Sequence, residues 1–502
     1  MQRGAGVLMH IASLPGPFGI GVFGEEAIDF AKQLKKQGMK YWQVLPFSYP
    51  GMGNSPYQSF SAFAGNRLFI DPRRLMRLGL LTGQEVVKAE LPDKKWRIDY
   101  DFNKIENERF LRTAFYRIGD DLKAKIVDFA SSHKWVDDVA LYLTIKEAND
   151  NKAWWDWEDE KLKNRDEDSL AKIREKKDYQ YHLFVQYIFV TQWKEIKEQI
   201  NCEGIKIIGD MPIYVSGDSA DVWANRDLFK MAQNNSEDIV FDKVAGVPPD
   251  YFCKDGQLWG NPIYEWSKHE SSNFAWWMDR FEANFELYDL VRIDHFRSLS
   301  SYWEIDASST TAKEGKWVEG PGMRIIDAFK ERFGDTSKLI AEDLGDKTPD
   351  VDILLKESGL PNMRVMQFGF VPQDDSSNLP HNFAANCVAY TGTHDNNTLL
   401  GWLWEVSEDV RNFALRYCAF TGNTWGEGGT RSESCRAIIR TLWMSHANCV
   451  IIPIQDELGY GRDTRMNTPG TVDGNWMIRF SKEDLASIDD GWYSELNKLY
   501  KR

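Results

Sequence analysis

Eight short apolar runs, rich in β-branched residues and separated by stretches of helical periodicity, recur along this chain of 502 residues. In order they are Val7–Leu14, Tyr41–Phe47, Lys206–Val215, Leu287–His295, Leu339–Leu344, Met363–Phe370, Cys387–Asp395 and Cys449–Gln455. Runs of this length read as parallel strands buried on both faces. Between the first two, Glu25–Gln37 carries an apolar stripe of Ala27, Phe30, Ala31 and Leu34, and Gly38 sits where a helix-ending glycine belongs. Helical patterns follow later strands too, as in Gly322–Arg332 and Pro349–Glu357. Eightfold strand–helix alternation predicts an α/β fold, a (β/α)8 TIM barrel.

Two connections exceed ordinary barrel loops. Residues 48–180, after the second strand, hold helical segments such as Asn107–Arg117 and Val136–Ala148, and Tyr179–Ile200 is expected to return as a barrel helix. Residues 216–270, after the third strand, are rich in Gly, Pro, Asn and Trp and read as an irregular, lid-bearing insertion. Both insertions fall at the C-terminal mouth, where barrels acquire specificity. The stretch after the eighth run is too short for a separate C-terminal domain. The whole chain, 1–502, is therefore expected to form one catalytic barrel with two insertions.

Three carboxylates stand at the ends of these runs: Asp294 in VRIDHFR, Glu342 in LIAEDLGD and Asp395 in YTGTHDNN. Taken singly, each is as well explained as a cap for the following helix. Together they should converge at the C-terminal mouth of a parallel barrel, flanked by Arg292, His295 and His394. A pair of carboxylates with a third acid beside them points to acid-catalysed glycosyl chemistry.

Composition limits the partners. The net charge of -15, with both signs interspersed, argues against a nucleic-acid backbone as partner. No run approaches membrane-spanning length, and the start, MQRGAGVLMHIASLPG, lacks an apolar leader core. The six cysteines show neither CxxC nor paired metal spacing, so reduced thiols in a cytoplasmic protein are expected. Most of the 20 Trp side chains are expected in the core.

The chain resembles the 4-α-glucanotransferases, the amylomaltases or disproportionating enzymes of glycoside hydrolase family 77, from end to end. The strings that carry the resemblance are HIASLPGPFGIG, NSPYQSFSAFAGN, GDMPIYV, AGVPPDYFCKDGQLWGNPIYEW, RIDHFR, AEDLGDKTPDV, GTHDNNT and RMNTPGT before GNW. It implies that Asp294 is the nucleophile, Glu342 the general acid/base and Asp395 the third acid of a retaining transfer between α-1,4-glucans. A retaining pair of carboxyls stands roughly 5–5.5 Å apart. Arg292, on the same strand face as Asp294, is expected to keep that nucleophile ionised. His394 and Asp210 are expected to bind sugar hydroxyls, with a structural role as the alternative for Asp210. Tyr251 and Phe252 match the tip of the family's lid, Gln257 and Trp259 its acceptor side, and Ser55, Tyr57 and Asn467 its sugar cleft. Departures from the family's usual residues occur at Asn54, Glu158, Ser298 and Asn362.

An α-glucan hydrolase would use the same acids and differ through the lid. A non-catalytic glucan-binding protein should have lost one of the three acids, and this chain keeps all three. A metal enzyme is disfavoured because neither HExxH nor a Ca²⁺-type carboxylate loop occurs. The partners expected are malto-oligosaccharides and α-1,4-glucans, with no required cofactor, no nucleic acid and no membrane.

Overall fold

The structure is a computed structural model that describes residues 1–91, 96–232, 241–249, 254–345, 348–471 and 473–502. Its strands are β1 (Gly4–Leu8), β2 (Tyr41–Gln43), β3 (Lys206–Met211), β4 (Lys243–Val247), β5 (Gln257–Pro262), β6 (Leu290–Ile293), β7 (Ser301–Asp306), β8 (Gly315–Glu319), β9 (Leu339–Ala341), β10 (Asn362–Val365), β11 (Cys387–Tyr390) and β12 (Cys449–Pro453). Eight of them form one parallel sheet in the order β10-β11-β12-β1-β2-β3-β6-β9. The two ends meet where Ala341 N donates to the Pro361 carbonyl at 2.9 Å and Met363 N to Asp343 Oδ1 at 2.9 Å. That closes a TIM-type barrel.

Burial explains why these runs lack alternation. Every residue of β1, β6, β9, β11 and β12 is buried, because helices cover the outside and side chains fill the inside. The helix Glu25–Gln37 forms as expected. Glu25 and Glu26 stand in its first turn, Lys35 and Lys36 in its last, and Gly38 ends it at φ 78°. Its buried face packs against the helices Lys177–Cys202 and Asp490–Leu499. Trp42, Trp157, Trp193, Trp223, Trp277 and Trp443 are fully buried.

All eight strands lie where the sequence places them, but they stop earlier. Leu344, His295 and Asp395 lie beyond their strands, and 366–369 and 454–458 are short helices. The first strand starts before its expected position, at Gly4, and Ile11–Ser13 is a 3-10 turn. Several segments stay buried past their strand ends, as in Val44–Phe47 and Ile454–Leu458, so burial does not mark where ladder pairing ends.

Between β2 and β3 lie the helices Tyr100–Phe115, Asp120–Ser132, Trp135–Ala148 and Lys177–Cys202. The last returns to the barrel: Trp193 packs on Phe23 and Phe47 and donates to the Leu287 carbonyl at 2.7 Å. Residues 216–270 are not irregular throughout. They contribute a helix at Ala220–Ala224 and the strands β4 and β5, which join β7 and β8 in an antiparallel sheet ordered β5-β4-β7-β8. Glycines disguise this sheet: a Cβ at Gly246 would meet the Gln257 carbonyl oxygen at 2.3 Å. Asn54 adopts φ 58°, a backbone that Asn tolerates, whereas Asn362 simply begins β10. No helix among the described residues is long and apolar enough to cross a membrane.

Candidate active site

Strand register assembles the site. In adjacent strands β3, β6 and β9, Asp210 pairs with Arg292 and Arg292 with Ile340. One step on, Met211 pairs with Ile293 and Ile293 with Ala341, so Asp294 and Glu342 leave their strands at one level. Main-chain bonds hold that level: Asp294 N donates to the Met211 carbonyl at 3.0 Å and Glu342 N to that of Ile293 at 3.1 Å. Because side chains alternate, Asp210, Arg292, Asp294 and Glu342 share the inner face.

Arg292 ties three carboxylates together. Its Nη1 donates to Asp210 Oδ1 at 2.6 Å and Oδ2 at 2.7 Å, and to Asp294 Oδ1 at 2.9 Å. Its Nη2 lies 3.8 Å from Glu342 Oε2. Burial disfavours its charge, but the surrounding carboxylates outweigh that and hold its pKa well above the ordinary value. Glu342 also receives two main-chain donors, His295 N on Oε2 at 2.7 Å and Leu344 N on Oε1 at 2.8 Å. His295 reaches it through a left-handed backbone, φ 48°. Such a residue is uncommon and costs energy, which ties the kink to the glutamate it orients.

The electrostatics differ from the sequence-based expectation for Asp294. Burial in the cleft raises its carboxyl above the usual aspartate range, and Arg292 counters this only in part. The reason is geometric. The nitrogen that faces Asp294 also bonds both oxygens of Asp210, whose own charge pushes Asp294 upward. Glu342 is raised as well, first by burial and then by the charge of Asp294, against the pull of Arg292 and the two amides. Asp294 keeps 27% of its side chain exposed and Glu342 only 9%, so the glutamate lies deeper in the protein.

Asp395 forms another wall. It lies in the loop between β11 and the helix Leu399–Glu405, five residues past the strand end. Asp456 braces that loop, accepting from Thr391 Oγ1 at 2.6 Å and Leu399 N at 2.7 Å. Asn467 Nδ2 donates to Asp395 Oδ1 at 2.6 Å, and His394 Nε2 stands 3.3 Å from Oδ2. Burial pulls the Asp395 carboxyl up, but His394 and Asn467 hold it down, to about 2. His394 moves upward: burial opposes its charge and Asp395 more than offsets that.

Tyr57 joins the two walls. Its hydroxyl donates to Asp210 Oδ2 at 2.9 Å, and its ring stacks on His394 at 5.2 Å with 16° between planes. Asp210 is 1% exposed, with both oxygens engaged by Arg292 and one also by Tyr57. Ser55 Oγ accepts from Tyr57 N at 3.3 Å and shapes the turn beneath that ring. Across the site, Trp259 sets an edge against His295 at 4.8 Å, and its indole N–H donates to Gln257 Oε1 at 3.2 Å. Tyr251 and Phe252 lie outside the described residues. Sequence reasoning assigned no role to Trp476, which packs on Tyr57 and His394, or to Arg465, whose Nη2 donates to the Asp395 carbonyl at 2.5 Å. Both sit in quoted motifs, but only the fold shows their contacts.

Comparison with known proteins agrees with this geometry. The model of a family described as 4-alpha-glucanotransferase matches residues 9–485. A 4-alpha-glucanotransferase of Clostridium butyricum is 42% identical over 503 residues, covering 98% of each chain. One from Thermus thermophilus is 41% identical, covering 97% of this chain and 96% of its own. Among solved structures, an amylomaltase from Streptococcus agalactiae in complex with acarbose superposes with a TM-score of 0.93 at 39% identity, covering all of both chains.

Proposed function

The chain belongs to the 4-alpha-glucanotransferase family, glycoside hydrolase family 77, whose activity is the transfer of glucan units, and we propose that Asp294, Glu342 and Asp395 divide that transfer between them. Glu342 gives its proton to the glycosidic oxygen of an α-1,4-glucan while Asp294 attacks the anomeric carbon. The carbon–oxygen bond breaks, and the shortened glucan leaves with the proton. Glu342, now a carboxylate, takes the proton from the 4-hydroxyl of an acceptor sugar, whose oxygen displaces Asp294. Two inversions restore the α configuration.

The observation that carries this reading is the single Arg292 guanidinium that bonds Asp294 and approaches Glu342 from the next strand. It supplies the positive charge that steadies Asp294 when it is a carboxylate, before attack and after release. Glu342, deeper and raised by the charge of Asp294, is the group that keeps its proton to higher pH. Asp395, held ionised, is suited to accept from the 2- and 3-hydroxyls as the ring flattens toward an oxocarbenium ion. Malto-oligosaccharides and longer α-1,4-glucans are the substrates this arrangement fits. A cytoplasmic setting is supported by the five described cysteines, all free thiols. The two insertions then act with the barrel as one catalytic unit.

Maltotriose supplies the test. Transfer conserves reducing ends, so the protein should yield glucose and longer oligosaccharides with the count of reducing ends unchanged. Asp294→Asn and Glu342→Gln should each stop the ladder without loss of folded protein. Near-parental turnover in either variant would remove that residue from its role.

A further inference from the structure

A small cavity of about 20 Å³, lined in part by His394, lies at the mouth ends of β11, β12 and β1. That volume admits one water molecule and excludes a sugar. His10, His394, Asn397 and Arg465 are among the residues lining it. His10 is 7% exposed and held by the rings of Phe69 and Phe47, at 5.4 and 6.4 Å. Among the described residues, no group within hydrogen-bonding reach satisfies His10 Nδ1 or Asn397 Oδ1, and both atoms are buried. The Asn397 amide is oriented, because its Nδ2 donates to Glu405 Oε2 at 2.7 Å, which leaves Oδ1 as an acceptor. Burial, reinforced by the charge of His394, pushes His10 down to about 3, so its ring is neutral and one nitrogen is an acceptor as well.

Two unpartnered buried atoms, with His394 on the same cavity wall and its Nε2 3.3 Å from Asp395 Oδ2, match the bonding capacity of a single water. We propose that the cavity binds one ordered water that donates to His10 Nδ1 and Asn397 Oδ1 and accepts from His394, which makes His10 a positioning residue for the His394–Asp395 pair. The inference rests on the role given to Asp395 only for its effect on rate. The water, and the state of His394, stand apart from that role. Removing the acceptor on His10 leaves one O–H of that water unpaired, which weakens the site and with it the protonated form of His394. Other groups facing His394 are Asp395, Arg292 and Asp210, the rings of Tyr57 and Trp476, and Arg465 from the cavity wall.

The experiment compares the parent with His10→Phe, which keeps bulk without polarity, and His10→Gln, which keeps an acceptor. With 13Cε1-labelled histidine, the His394 resonance among the 8 histidines is identified by its loss in His394→Gln. The His394 titration midpoint should fall in His10→Phe and stay near the parent in His10→Gln. The kcat for maltotriose should drop roughly tenfold in His10→Phe and be largely restored in His10→Gln, with KM little changed. A high-resolution crystal structure of the parent should show the water. An unchanged midpoint in folded His10→Phe, an equal fall in both variants, or a cavity without ordered density would each overturn the proposal. A shifted midpoint without a change in kcat would keep the water and remove Asp395 from its assigned part.

Discussion

One guanidinium cannot neutralise three carboxylates, and the residues around Arg292 arrange that deficit for use. Both oxygens of Asp210 crowd the same Nη1 that bonds Asp294, and Glu342 is left with Nη2 at 3.8 Å. A lysine at this position presents a point charge and not a planar fork. Arg292→Lys should therefore lower kcat by roughly a hundredfold while KM for maltotriose moves much less. Equal losses in binding and rate would show that Arg292 only shapes the cleft. The same deficit fixes the pH profile. Asp294 must be ionised and Glu342 protonated, and both are displaced upward. The acid limb should then lie above the ordinary aspartate range and the alkaline limb above the ordinary glutamate range, in kcat/KM against pH. An acid limb at or below the value of a free aspartate would contradict the shared guanidinium. The three acids were legible in the sequence because each ends a recognisable apolar run. The sharing of Arg292 with Asp210 was not, because it depends on the register between two strands far apart in the chain.

At the level of elements, strands are legible by composition and their ends are not. Tyr41–Phe47 is apolar but for Gln43, yet only Tyr41–Gln43 pairs as β2, and the rest stays buried beyond the strand. In the second sheet, β4 and β5 escaped because Gly246 and Gly260 interrupt the alternation that marks a strand. The short helix Ile454–Leu458 after β12 makes a prediction of its own. Its Glu457 is 2% exposed, and among the described residues only a poorly aligned contact with Gln37 favours its charged form. Burial, with the charge of Asp490 adding to it, raises this carboxyl to about 8. The sign follows: an unfolded glutamate loses its proton near 4.3, so the folded state holds the extra proton between there and about 8. Stability falls as pH rises through that window and stays reduced above it. Glu457→Gln removes the penalty and lets an amide donate to Gln37 Oε1, which lacks a partner among the described residues. It should raise stability by about 1–3 kcal/mol at pH 8 and by little at pH 5, read from urea unfolding. A variant less stable than the parent at pH 8 would mean that Glu457 is paired through groups such as bound water.

For the whole molecule, the three acids stand just past the barrel strands β6, β9 and β11. Trp259 and Gln257 carry the β4–β5 hairpin to the edge of His295, and Tyr251 and Phe252 fall between those strands in the chain. If the two aromatic rings shelter the glycosyl-enzyme and receive the acceptor, Tyr251→Ser with Phe252→Ser should raise the ratio of hydrolysis to transfer several-fold. Loss of roughly 1 kcal/mol per aromatic contact weakens acceptor capture more than it weakens attack by water. New reducing ends per glucan transferred measure this. An unchanged ratio with both rates lower would leave the lid a positioning role alone. The proposed transfer requires a covalent intermediate on Asp294, which mass spectrometry detects directly. Glu342→Gln should accept a maltotriosyl unit from maltotriosyl fluoride, whose leaving group needs little acid assistance, and should be unable to pass it on quickly. Intact-mass spectrometry should show one added maltotriosyl group, mapped after proteolysis to the peptide carrying Asp294, and none in Asp294→Asn. An adduct on Asp395, or fluoride release without any adduct in Glu342→Gln, would contradict the account.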